Sequence, residues 1–224
     1  MDDAGEDDLS SIASGMTYYD KTTFADAKKI LKKYHLEKLV PKSVLLHLDL
    51  GMQGKILETP KKEKIKNYII ATNNDCLDAM KLRAKDLGYS TKTLDRISGD
   101  VRDLSLKISR SLSKKTNCII FGGESTVVVT GKGKGGRNQE LVLHCALDLS
   151  KKKNDAVVVS VGTDGIDGET NCAGAIWQSD QKIDRIKPYL DKNNSYNFFK
   201  KYGGLLLTGP TGTNLMDIGL VLLK

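Results

Sequence analysis

Residues 122–140, GGESTVVVTGKGKGGRNQE, constrain this chain more than any other stretch. A double glycine and a carboxylate (Gly122, Gly123, Glu124) lead into a β-branched run, Val127 to Thr130. A loop of four glycines and two lysines follows, and Arg137 opens an amphipathic segment. The pattern predicts a strand, a basic loop and a helix start. Glycines let successive backbone N–H groups turn towards one point, since no Cβ blocks positive φ or a ligand's approach. The helix N-terminus adds unpaired N–H groups and partial positive charge, and Lys132, Lys134 and Arg137 add full charges. Such a loop is an anion cradle for phosphate or carboxylate. The same residues also fit a solvated hairpin whose glycines serve turn geometry and whose lysines serve solubility. Neither GxxxxGK[ST] nor GxGxxG with a ribose-binding acid at the usual distance can be placed on it.

Around this stretch the chain changes character. Thr22 or Thr23 can cap a helix through about Tyr34, and a second helix can start at Pro41 and stop at Gly51. The charged segment 55–66 reads as a linker. From Asn67 onward strands and helices alternate. Strands are predicted over 68–72, 89–94, 118–121 and 126–130. A helix capped by Asn73, Asn74 or Asp75 carries Leu77, Met80, Ala84 and Leu87, and a second follows Asp100. A helix over 137–149 precedes a continuous apolar strand at 156–161, of the kind buried on both faces. The apolar run 215–223, carrying Asp217, would close the sheet. The fold class is therefore α/β, a mixed sheet with helices on both faces and three glycine-rich loops at strand ends.

The second loop, GTDGIDGET (162–170), places Asp164 and Asp167 among three glycines. Carboxylates there can hold Mg²⁺ through water or take a proton from a hydroxyl. Two Asp-Gly turns would read the same way. The third, TGPTGTN (208–214), offers Thr208, Thr211, Thr213 and Asn214 to a phosphate or a polyol, or is a plain Pro-Gly turn. Ligands of open α/β sheets sit beyond the carboxyl ends of strands, and that favours one site shared by the three loops.

The net charge of +7 comes from scattered lysines with no interleaved aromatics, favouring an anionic small molecule over nucleic acid. Cys76, Cys118, Cys145 and Cys172 lie far apart without metal spacing, as packed thiols in a reducing compartment would. No apolar run approaches the roughly 20 residues of a membrane span. The first fifteen residues carry five acids and no base, unlike a targeting peptide. A cytoplasmic protein is expected. His35, His47 and His144 sit beside apolar helical positions and are assigned no catalytic role.

The ordered series GGESTVVVTGKGKGGRNQE, GTDGIDG, AGA (173–175), NNSYNFF (193–199) and LLLTGPTGTNLMD resembles the C-terminal, MOFRL-containing part of ATP-dependent glycerate 2-kinases. IASG (12–15), TTFADAKKIL (22–31), PKSVLLHLDLG (41–51) and ETPK (58–61) are similar to the part of those enzymes that joins their first domain to their second. The resemblance implies residues 1–65 as a remnant of the first domain with its linker. It implies 66–224 as a second α/β domain, with the MOFRL region at about 117–224. It implies transfer of the γ-phosphoryl group of ATP to the 2-hydroxyl of D-glycerate, giving 2-phosphoglycerate, with ATP and Mg²⁺ as cofactors.

Carried over residue by residue, Arg137 becomes the catalytic charged group. Glu124, Asp164, Asp167 and Asn214 would line the same cleft. Together with the loop readings above, the expected nucleotide contacts are Glu124, Lys132, Lys134, Gly135, Gly136, Asn138, Thr208, Thr211, Thr213 and Asn214, and the expected metal contacts are Asp164 and Asp167. The alternatives are a hydroxypyruvate reductase, for which no dinucleotide fingerprint is present, and an anion-binding module that needs a partner half. Two departures stand out. Met16, Tyr18 and Tyr19 replace a proline-containing stretch after IASG, and the chain is about half the family's length. The half without a counterpart here holds a lysine assigned to catalysis. The chain is therefore expected to be incomplete as a kinase, with a missing N-terminal half or a second copy as partner.

Overall fold

The computed structural model describes residues 8–10, 12–62, 65–152, 155–181 and 186–224; residues 1–7 and Ser11 of the acidic N-terminal stretch lie outside them. The chain divides into two compact units, Met1–Ile70 and Ala71–Lys224.

In the first unit, helix α1 (Phe24–Lys33) starts at Thr23, which shares a capping box with Asp26, and α2 (Lys42–Met52) starts after Pro41. The two helices meet where Gly51 takes the Phe24 ring; an added Cβ would stand 2.3 Å from that ring. Lys28 and Asp49 form an ion pair across the same contact. Gly51 is the one fully buried residue among the described residues of this unit. Ile30, Tyr34, Leu39, Leu46 and Leu57 are exposed.

The second unit is a six-stranded mixed sheet in the order β1-β2-β6-β3-β4-β5. The strands are β1 (Thr91–Asp100), β2 (Cys118–Thr126), β3 (Ala156–Gly162), β4 (Gly174–Gln178), β5 (Leu205–Leu206) and β6 (Asp217–Leu223). β1 and β2 are parallel, and every other neighbouring pair is antiparallel. One face carries α4 (Val101–Ser111), α5 (Arg137–Lys151), α6 (Ile186–Leu190) and α7 (Ser195–Tyr202), packed on Ile119, Phe121, Val158, Trp177 and Val221. The other face carries α3 (Asn73–Asp86), whose Leu77 packs on Cys118 and Ile120. Alternate residues of β2 thus enter different cores, as the pleat requires.

Several expectations change. The double glycine lies inside β2, which runs unbroken from Cys118 to Thr126. Gly122 admits the Asn73 side chain of α3, and Gly123, at φ 136°, admits the backbone of β1 where that strand is irregular between Leu94 and Ile97. The valines after Thr126 are loop, because the β6 partner begins only opposite Gly123 and β1 gives way to a helix at Val101. Residues 68–72 form no strand, and Thr72 with Asp75, not Asn73, caps α3. β3 is buried on alternate residues only, leaving Val157, Val159 and Val161 half-buried. β6, the strand expected to close the sheet, lies between β2 and β3, where Gly219 accommodates the Phe121 ring.

Candidate active site

β2, β3 and β5 run in one direction, so the loops after them emerge at one edge of the sheet, where β6 begins. The second and third loops are stitched together. Thr163 N and Oγ1 donate to Met216 O at 3.0 and 2.7 Å, Leu215 N donates to Thr163 Oγ1 at 2.7 Å, and Thr211 N donates to Asp164 O at 3.1 Å. A cavity of about 430 Å³ opens between the first and second loops, lined by Val127, Val129, Gly133, Gly135, Arg137, Glu140, Asp164, Ile166 and Asn193 among others. Thr208, Thr211, Thr213 and Asn214 are exposed and do not line it.

Arg137, the first residue of α5, is held by two carboxylates. Its Nε donates to Asp217 Oδ2 at 2.7 Å and its Nη2 to Asp217 Oδ1 at 3.1 Å, while Nη1 pairs with Glu124 Oε1 at 2.7 Å. Asp217 is 1% exposed. Desolvation alone would lower the Arg137 pKa, but Asp217 and then Glu124 hold it raised. Burial pushes the Asp217 carboxyl up against the pull of Arg137 and Asn138. A two-point fork of this kind fixes the guanidinium plane. Arg137 is therefore both charged and aimed.

The N–H groups of Asn138 and Gln139 at the start of α5 are taken by the protein itself. Asp167 Oδ1 accepts from Asn138 N and Nδ2 at 2.9 and 3.3 Å, and Oδ2 accepts from Gln139 N and Nε2 at 2.9 and 2.8 Å. Four donors use the four lone-pair positions of this buried carboxylate. Asp167, expected as a metal contact, is met here by four protein donors and acts as the protein's own anion at the helix terminus. Asn138 is consumed in the same network, its amide also donating to Asp217 and its Oδ1 accepting from Ser160 Oγ at 2.5 Å. Gly136 is needed because a Cβ there would stand 2.3 Å from Asp167 Cγ. The Asn138 side chain is thus paired within the protein, whereas Gly136 lines the cavity. Asp164 lines the cavity and uses Oδ1 for the Ile166 amide at 3.0 Å. Among the described residues no group of three or more His, Cys, Asp or Glu could hold a metal.

Part of the glycine loop is likewise tied down by the protein's own acceptors. Thr130 N and Gly131 N both donate to Asn193 Oδ1 at 2.8 Å, Gly133 N donates to Lys192 O at 2.8 Å, and Lys134 N donates to Asn194 Oδ1 at 3.0 Å. The loop lies flat on the turn between α6 and α7. Gly131, Gly133 and Gly135 lack Cβ atoms because Lys192, Asn194 and Ser195 occupy that space. Asn193 Nδ2 also donates to Glu140 Oε1 at 2.9 Å, and burial raises the Glu140 pKa. Lys132 and Lys134 face a second concavity, away from Arg137.

Asp217, Glu140 and Asn193 were not singled out from sequence. An acid inside the apolar run 215–223 was a signal, since an acid is almost never fully buried unless paired. Asn193 at positive φ carries no such mark.

With this geometry in hand, comparison with known proteins is informative. Residues 117–217 match the MOFRL family, and residues 1–49 match a domain of unknown function, DUF4147. A glycerate 2-kinase of Pyrococcus horikoshii is 37% identical over 238 residues, covering 97% of this chain and 53% of the relative. A D-glycerate 2-kinase of Thermotoga maritima is 36% identical over 242 residues, covering 99% and 55%. The crystal structure of a Thermotoga maritima glycerate kinase superposes with a TM-score of 0.79 at 34% identity, over 100% of this chain and 56% of that one. The chain spans about half the length of the curated relatives it matches.

Proposed function

The chain belongs to the family of MOFRL-type glycerate 2-kinases, and from that premise we propose that it forms the Arg137-bearing half of a site transferring the γ-phosphoryl group of ATP to the 2-hydroxyl of D-glycerate. The observation that carries this reading is the Arg137 fork, fixed by Asp217 and Glu124 at the mouth of a cleft formed by loops at one sheet edge. Phosphoryl transfer needs positioned positive charge more than covalent help from the protein. Arg137 meets the transferring phosphoryl or the acceptor carboxylate, and its two carboxylates keep the guanidinium from turning away. Glu140, held by Asn193, forms the wall behind it. Mg²⁺ accompanying ATP would be held by Asp164, which lines the cavity, with water making up its remaining ligands, since this ion commonly takes few protein ligands. The ion's part is to neutralise phosphate charge. The exposed apolar residues of the first unit fit a fold completed by further polypeptide.

A reductase using a nicotinamide cofactor is the weaker reading. Its pyrophosphate would want the α5 N-terminus, and Asp167 already occupies that position.

The test is formation of 2-phosphoglycerate from Mg²⁺-ATP and D-glycerate by the 224-residue chain, alone and mixed with the amino-terminal half of the Thermotoga enzyme. Product that disappears on Arg137→Ala is the expected result. A folded chain silent in both mixtures refutes the proposal, and oxidation of NADH or NADPH by hydroxypyruvate would put the reductase in its place.

A further inference from the structure

Beside the Arg137 cleft lies a second concavity of about 350 Å³, lined by Lys132, Gly133, Lys134, Lys192, Asn194 and Asn197. It shares only Gly133 with the first. Asn193 and Arg137 line the cleft, whereas Lys132, Lys134, Lys192 and Asn194 line the bowl. Among the described residues no acid lines the bowl, and none of its three lysines is in an ion pair.

The walls are held in place by the backbone. Gly133 N donates to Lys192 O, Lys134 N to Asn194 Oδ1, and Tyr196 N to Lys134 O at 2.9 Å, so the two lysine-bearing strips cannot drift apart without breaking all three bonds. Asn197 Nδ2 donates to Asn194 Oδ1 at 2.6 Å, and Lys134 Nζ sits 4.8 Å from the centroid of the Tyr196 ring. Three like charges around one small bowl repel one another, and a multivalent anion relieves that repulsion. A lone carboxylate carries too little charge to balance three ammonium groups. A chain of phosphates carries enough, and ammonium groups serve as point charges for phosphate oxygens.

We propose that the bowl of Lys132, Lys134 and Lys192 binds a small polyphosphate anion, at a site separate from the Arg137 cleft. The site stands on these lysines and does not depend on the kinase reading. The phosphates can belong to a nucleotide or to free inorganic polyphosphate, and the two share this chemistry.

The test is titration calorimetry of the 224-residue chain with inorganic tripolyphosphate at low ionic strength, with ATP as a second probe. One site is expected, weakened about tenfold or more in Lys132→Gln/Lys192→Gln, as the loss of two close charges implies. Tripolyphosphate binding at the bowl should stay within about twofold in Lys81→Gln/Lys85→Gln, a distant pair with the same change in net charge, and should not depend on Arg137. Equal losses in the two lysine pairs would show diffuse attraction to a basic protein and overturn the proposal. So would loss in Arg137→Gln alone, or no binding at all. If ATP binding falls with the bowl lysines, a nucleotide tail is the source; if it does not, free polyphosphate is.

Discussion

Replacing Asp217 by Asn leaves the shape of the side chain and removes its charge. In place of one carboxylate oxygen it puts an amide N–H₂ against Arg137 Nε at the Oδ2 position, or against Arg137 Nη2 and Asn138 Nδ2 together at the Oδ1 position. Donor then faces donor, and the two-point grip on Arg137 fails. Removing one partner of a fully buried ion pair costs about 3–5 kcal/mol. The Arg137 side chain is 36% exposed and can turn to water, so about 1–3 kcal/mol is the better expectation. Glu124 holds the same guanidinium from a side chain that is 56% exposed, and Glu124→Gln should cost under about 1 kcal/mol. The assay is urea unfolding followed by Trp177 fluorescence. Trp177 is the sole tryptophan and is fully buried in the second unit, so the signal reports that unit alone. A double-mutant cycle with Arg137→Gln should give a 137–217 coupling well above the 137–124 coupling. Equal couplings would refute the argument that the buried carboxylate is what aims Arg137.

Asp167→Asn should destabilise the second unit by about 2–4 kcal/mol, since it weakens four hydrogen bonds at a buried helix terminus, and by the same amount in EDTA as in Mg²⁺. A loss seen only with Mg²⁺ would return Asp167 to the metal. Asn193→Ala should speed amide hydrogen exchange at Thr130 and Gly131 while leaving β3 amides protected; unchanged exchange at those two positions would mean the loop is held by other contacts. Burial, with Arg102 adding, lowers the His144 pKa from 6.5 to about 4. Between these values the unfolded chain takes up a proton that the folded protein refuses. The stability owed to neutral His144 is therefore full above pH 6.5 and lost as pH falls towards 4. Melting temperature should thus fall less between pH 7 and pH 5 in His144→Gln than in the parent, and parallel falls would sink the assignment.

The linear sequence marked out most elements of the second unit because their signals are local. Asp100 caps α4, and Val101, Leu104 and Ile108 recur at helical spacing, so that helix is legible without tertiary knowledge. The edge at which the loops meet also follows from alternating strands and helices. The family resemblance rested on motifs in order, and needed no geometry. Local signals misled where a long-range partner decided the outcome. Val127 to Val129 have strand propensity but no strand to pair with, and Gly122 and Gly123 look like a turn yet lie in a strand because α3 and the irregular β1 press against them.

At the site, sequence by itself determined which chemical groups are present: an arginine at a helix start, two aspartates among glycines, and lysines alternating with glycine. Only the tertiary structure decided which group each one meets. Asp167 lies thirty residues beyond Arg137, and it reaches the α5 N-terminus because the loop after β3 folds under that helix. A carboxylate brought there finds four donors and becomes a structural anion. Asp217 faces Arg137 because β6 enters between β2 and β3. In the glycine loop the N–H groups of Thr130, Gly131, Gly133 and Lys134 are taken by Lys192, Asn193 and Asn194, some sixty residues away. Residue types set the available charge and hydrogen-bonding capacity, whereas pairing at that separation depends on strand order, which no local pattern encodes.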